Sequence, residues 1–259
     1  MIRCMSIMAI LIFFNMHLSV FAQLSSLSSE EIELILEVGS EKFDSGYEEE
    51  SLVLFLRVLE ADNKNYDALW NISIIYSRIG YRLDSKSEKE EYFQKAKSYA
   101  EKAKEYHSDK GKSYYVYAVA LGRLTNKMST RDRIRAAHDI KENVEKAIEL
   151  EPDYAPFWHL YGVWHSDVAN VSRIERMAAR FISGGVPRGS NEKAEEYLKK
   201  AIEMDEERIL FRMDLARHYA EVGENEKAVE VLEKIREMKA RTKFDHAKFM
   251  EAEELLGRL

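Results

Sequence analysis

His159, His165 and a set of arginines are the side chains of this sequence best suited to chemistry, and their spacing decides which chemistry is open. Six residues turn a helix by about 240° beyond its full rotation, so the two histidines share no face and cannot hold one metal between them. His165 and Asp167 diverge further. No HExxH, GxSxG, phosphate-cradling glycine loop or dinucleotide fingerprint occurs. The paired acids Glu90 and Glu91 lie in a charge-rich helical stretch with no neighbour that would raise a carboxyl pKa. The single cysteine, Cys4, falls in the amino-terminal segment, so thiol catalysis, thiolate zinc sites and disulfides have no residues to work with. These patterns argue against an enzyme and call for no cofactor and no metal.

Binding is the chemistry that remains. The chain of 259 residues carries a formal charge of -7, dispersed over mixed Glu/Lys helix faces, which argues against nucleic acid as a partner. Two stretches run against that balance. Residues 123–139 and 173–193 each carry a net +3, with Arg131, Arg133 and Arg135 in the first and Arg173, Arg176, Arg180 and Arg188 in the second. Neighbouring basic segments on an acidic protein attract an anionic partner; the alternative is a pair of solvated turns whose arginines are matched by nearby carboxylates.

The elements that position these residues show as an internal period. Small residues recur at Gly39, Ser73, Ala118, Gly162 and Ala216, each set among large apolar neighbours such as Leu69, Ile72 and Tyr76. Paired positions seven apart follow at Ser51/Val58, Ala96/Ala103, Ile140/Ala147, Ala194/Ala201 and Ala228/Ile235. From the second member of each pair to the next small residue the interval is 15 in all four cases. Large residues fill the space between two helices while a small one lets the backbones approach. This pattern resembles the tetratricopeptide repeat (TPR) family, and the resemblance implies an all-α, right-handed solenoid of about five helix pairs. The repeats fall near 30–63, 66–108, 111–152, 155–206 and 209–240, in a single domain over 23–259. Phe244, Ala247, Met250, Leu255 and Leu256 share one face, which predicts a capping helix over 244–259.

Within a pair, the small residue and the first paired position stand 12 apart in the first and last repeats but 23, 22 and 32 apart in the middle three. Since the spacing between repeats is unchanged, the extra residues belong to the turns inside each pair, and three extended hairpins should stand along one edge. Insertions in such solenoids collect on a face that often binds. The first helices should line a concave groove with Trp70, Arg78, Tyr115, Arg123, His159, Asp167 and Arg217, a set rich in the aromatic and arginine residues favoured as binding anchors. Trp70 has the alternative of burial by a neighbouring helix. In the longest insertion, Val171, Ile174, Ala178 and Phe181 recur at helical spacing opposite Arg173, Arg176 and Arg180, consistent with extra core or with a lid.

Residues 1–22 read differently from the rest. Arg3 is the only charged side chain before Glu30, Ile7 to Phe14 is apolar, and Val20 and Ala22 fit a signal-peptidase site. The segment is expected to be a cleaved signal peptide, leaving a secreted or periplasmic protein; an uncleaved anchor is the alternative.

Gly162, Val163, Trp164, Val168, Ala169, Arg176, Ala179, Phe181, Pro187 and Ala194 together resemble the regulator of microtubule dynamics family, which has a similar long insertion after a glycine-tryptophan helix. The resemblance implies a helical-repeat adaptor with a lipid or anionic-ligand role open to it. An export signal argues against microtubule association. The expectation from residues and resemblance together is a non-catalytic scaffold that recognises a protein or peptide through groove and insertion edge. The alternative is a carrier of a lipid or other anionic amphiphile beneath a lid formed by 171–190.

Overall fold

The computed structural model describes residues 27–182 and 184–259, and the expected signal segment lies outside them. Among the described residues there are twelve α-helices, one short 3-10 turn at Thr125–Lys127, and no strand. They form five antiparallel pairs: α1 (Ser29–Asp44) with α2 (Glu48–Ala61), α3 (Tyr66–Arg82) with α4 (Lys86–Tyr106), α5 (Gly111–Leu124) with α6 (Thr130–Leu150), α7 (Ala155–Ala169) with α9 (Asn191–Met204), and α10 (Ile209–Glu221) with α11 (Asn225–Arg236). A short helix, α8 (Arg173–Ala179), interrupts the fourth pair, and α12 (Asp245–Leu256) caps the end.

The small residues do what their spacing predicts. The Ser51 hydroxyl donates to the Gly39 carbonyl at 2.7 Å, and Ser73 donates to the Ala96 carbonyl at 2.8 Å, so the small position of one helix lies directly on the first paired position of its partner. A Cβ added at Gly162 would stand 2.7 Å from Leu198 Cγ, which shows how closely α7 and α9 approach. Apolar clusters between pairs run the length of the chain, from Phe55, Ile72 and Ile75 through Leu121, Ile140 and Trp164 to Met213, Leu232 and Ile235. The last cluster takes in Ala252, Leu255 and Leu256 of α12, which closes the apolar end of the stack. Serines set several helix starts: Ser28 and Ser172 form capping boxes with Glu31 and Glu175, and Ser85, Ser129 and Ser190 accept from backbone N–H groups. Asn225 is the first residue of α11, and Glu224 occupies the cap position without a side-chain hydrogen bond.

The inserted residues lengthen helices more than they lengthen turns. In the second and third pairs, α4 and α6 each run to 21 residues; among the described residues only the fourth pair spends its extra residues on a separate α-helix. The three tips lie side by side. Lys127 Nζ meets Glu90 Oε2 at 2.9 Å between the third and second, and His138 Nε2 lies 3.1 Å from the Gly185 carbonyl between the third and fourth.

A contact across the ends of the chain curls the stack. The turn between α1 and α2 passes through Gly46 at φ +83°, where a Cβ would lie 3.1 Å from Thr242 Cβ. The Arg82 guanidinium stacks 3.8 Å from the centre of the Phe244 ring, and Lys243 Nζ lies 3.9 Å from Glu49. The segment leading into α12 therefore clasps the first pair, and the groove lies inside the resulting curl.

Candidate binding groove and insertion edge

One end of the groove is built on a buried carboxylate. Glu48, in the first turn of α2, is fully buried and pairs with Arg78 at 2.6 Å and with Arg82. Arg78 also stacks over Phe43 at 4.7 Å. A carboxylate so placed must be held by cations to offset lost hydration, and two arginines surround it. At the other end, Asp214 of α10 accepts from His159 Nε2 at 2.7 Å and pairs with Arg217, which also reaches Glu251 on the capping helix. The His159 ring stacks on Phe211 at 4.5 Å. Burial works against ionisation of Asp214, but His159 and Arg217 outweigh it and hold its carboxyl below the usual range.

Between these two paired centres lies a charge without a partner. Arg123, at the end of α5, makes no ion pair and no hydrogen bond among the described residues, and its Nε is fully buried. Its guanidinium lies 4.4 Å from the Tyr81 ring. Burial opposes its charge, while Tyr81, Tyr115 and Asp214 favour it. Tyr115 sits against Phe157 and Tyr154, with ring centres 5.2 and 6.1 Å away. Asp167 meets solvent at the groove surface; the surrounding protein mass, then Glu221 and Asp214, push its carboxyl up to about 6.

The structure thus brings Arg78, Tyr115, Arg123, His159, Asp167 and Arg217 onto one surface, but with unequal freedom, since Arg78, His159 and Arg217 already have partners. Trp70 departs from the groove reading. It is only 9% exposed, packs with Ile74, Ala100 and Val116, and donates from its indole N–H to Asp67 at 3.1 Å. The neighbouring α5 covers the face that the register assigned to the groove. Glu48 and Asp214 were missed by that register: Glu48 comes from a second helix, and Asp214 stands one position off the expected face. The remaining candidate histidine, His165, is buried among Tyr161, Trp164 and Tyr197 and accepts from the Ser190 N–H at 3.2 Å. Burial, then Lys193 and Lys141, pull it down to about 4, so the ring is neutral at pH 7.

The insertion edge is different in kind. Arg131, Arg133 and Arg135 project from the extension of α6 and are exposed, and only Arg135 has a carboxylate in reach, Asp132 at 3.4 Å. Arg173, Arg180 and Arg188 are exposed and unpaired among the described residues. Arg176 alone is structural: it donates to the Val168 and Pro187 carbonyls at 2.7 and 3.2 Å. With Arg180 and Arg188 it lines an open recess of about 550 Å³ over Gly184, Gly185 and Gly189. The apolar positions of α8 do not pack as core. Ala179 is buried, whereas Ile174 is 81% and Phe181 95% exposed. Anchoring by Arg176 rotates the helix and turns the apolar stripe outward.

A profile of the family described as regulator of microtubule dynamics protein 1-3 matches residues 35–259. Regulator of microtubule dynamics protein 1 of Bos taurus is 30% identical over 177 residues, 68% of this chain and 55% of that protein. Protein 3 of Rattus norvegicus is 28% identical over 229 residues, 87% of this chain and 49% of that protein. The chain spans about half the length of these curated relatives. Among solved structures, a thermophilic TPR protein of Thermus thermophilus superposes with a TM-score of 0.64 at 17% identity, covering 85% of this chain and 98% of that one, which supports the fold.

These relatives overturn the expected destination. They are animal proteins named for the dynamics of microtubules, polymers of the cell interior, so the assignment to a secreted or periplasmic space is withdrawn. The physical reason for the error is that a short apolar block near an amino terminus does not by itself specify an address.

Proposed function

The chain belongs to the regulator of microtubule dynamics family, and on that premise we propose that it is a non-catalytic binding scaffold whose groove recognises an acidic segment of a protein partner. The observation that carries this reading is Arg123, a partly buried cation at the groove floor with no partner, set between two centres whose charges are already matched. Leaving a buried cation unpaired costs free energy, which an incoming carboxylate recovers. Tyr81 and Tyr115 beside it supply aromatic surface for the segment that carries the acid. The helix-pair solenoid is a scaffold well suited to such contacts, and the family name makes microtubules the first partner to try. The insertion edge offers a second, anion-facing surface.

The alternative of an amphiphile carried beneath residues 171–190 has less support. Trp164 and Val168 pack solidly with Val186 there, and the apolar side chains of α8 face away from the space a lid would cover.

The test is co-sedimentation of the full chain with microtubules, alongside binding to an array of glutamate-rich peptides, with Arg123→Gln and Tyr115→Ala compared with wild type at equal helicity. Both variants are expected to bind about tenfold more weakly, the usual cost of losing a central anchor. Unchanged binding by both would reject the groove.

A further inference from the structure

The edge carries a combination that neither the paired groove nor a plain solvated turn explains. Ile174, Met177 and Phe181 are 81%, 61% and 95% exposed. Spaced by three and four residues, they fall within about 60° of one another around the α8 axis and its continuation. This face is fixed outward. Ser172 and Glu175 close a capping box at the start of the helix, Ala179 is buried beneath it, and Arg176 ties its inner side to two backbone carbonyls. The helix therefore cannot simply roll over to hide the stripe. Arg173 opens the same helix and Arg180 and Arg188 follow it, while Arg131 and Arg133 lie in the first turn of α6, which packs against α8; all five are exposed, with no ion pair among the described residues.

We propose that this face docks on an anionic lipid bilayer: Ile174, Met177 and Phe181 enter the head-group boundary while the surrounding arginines meet the negatively charged head groups. Charge complementarity favours this occupant. Three apolar side chains on a projecting two-turn helix give only weak insertion by themselves, and stable surface binding takes two signals, an apolar one and a polybasic one. Both are present here on one outward tip. An acidic protein tail would pair with the arginines but would leave the three apolar groups in water. The inference rests on the insertion edge facing anions and on nothing in the groove, so the Arg123 experiment can fail without touching it.

The test uses the full chain with phosphatidylcholine vesicles, with and without phosphatidylserine, by flotation. Wild type should bind the phosphatidylserine vesicles and lose affinity steeply with salt. Each arginine changed to Gln among Arg131, Arg133, Arg173 and Arg180 should weaken binding roughly fivefold. Phe181→Asp should weaken it by about tenfold or more. To separate the edge from any other lipid-seeking segment, Met177→Cys in a Cys4→Ser background carries an environment-sensitive dye, whose emission should shift to the blue only with phosphatidylserine vesicles. An absent shift, or flotation unaffected by Phe181→Asp, overturns the proposal. So does an outcome in which the same arginine variants lose glutamate-rich peptides while wild type ignores vesicles, which would make the edge a protein site.

Discussion

The groove and the insertion edge both gather arginines, yet they treat them in opposite ways. In the groove, Arg78 and Arg82 surround the buried Glu48, and Arg217 bridges Asp214 to Glu251, so these cations hold repeats together. Along the edge, Arg131, Arg133, Arg173, Arg180 and Arg188 touch no carboxylate among the described residues. A matched, desolvated charge is committed to the fold, because breaking the pair strands its partner. An exposed, unmatched one adds little to stability and remains available to a ligand. Arg123 stands between these cases, partly buried with its Nε out of reach of solvent, and unmatched like the second group, which is why it marks the groove site.

That contrast can be broken most forcefully at Glu48. Replacement by Ala leaves Arg78 and Arg82 beside an apolar void and should cost about 3 kcal/mol, read from the urea midpoint. A change under about 1 kcal/mol would mean that the pair is not matched in solution. The clasp comes next. Phe244→Ala removes the ring under Arg82 and should cost about 1–2 kcal/mol, with a larger radius of gyration by small-angle scattering as the ends part. An unchanged radius would show that the curl does not depend on this contact.

Asp167→Asn sharpens the comparison within the groove. The folded carboxyl keeps its proton up to about 6 while the unfolded one releases it near 3.8. Between those values the folded state binds more protons, so wild-type stability falls as pH rises from about 4 to about 6. The Asn variant should lack that fall, by under about 1 kcal/mol because the group meets solvent. Parallel pH profiles for the two proteins would remove Asp167 from the account.

Much of this architecture is legible in the residues. An interval of 15 kept between repeats constrains how pairs stack, and two of the small positions, Gly39 and Ser73, are hydrogen-bonded to the paired positions they were matched with, Ser51 and Ala96. The growth of three tips on one side also follows from the spacing, since Lys127 reaches Glu90 and His138 reaches Gly185. What stayed hidden depends on contacts that pattern does not encode. Trp70 is claimed by the next repeat. The face of α8 was read from its apolar residues, but the inward anchor is the half-buried Arg176, a residue that type alone assigns to solvent. The clasp joins Gly46 to Thr242 across most of the chain, and no local period announces it. The site was legible as a set of residues and not as a division between committed and free charges, because that division is set by which carboxylates arrive from distant helices.

The most direct measurement is the urea midpoint of the full chain with Arg131, Arg133, Arg173, Arg180 and Arg188 all replaced by Gln. Free edge charges predict a midpoint equivalent to wild type within about 0.5 kcal/mol. A loss of about 2 kcal/mol or more would show that these arginines are structural, and the distinction between groove and edge would fall.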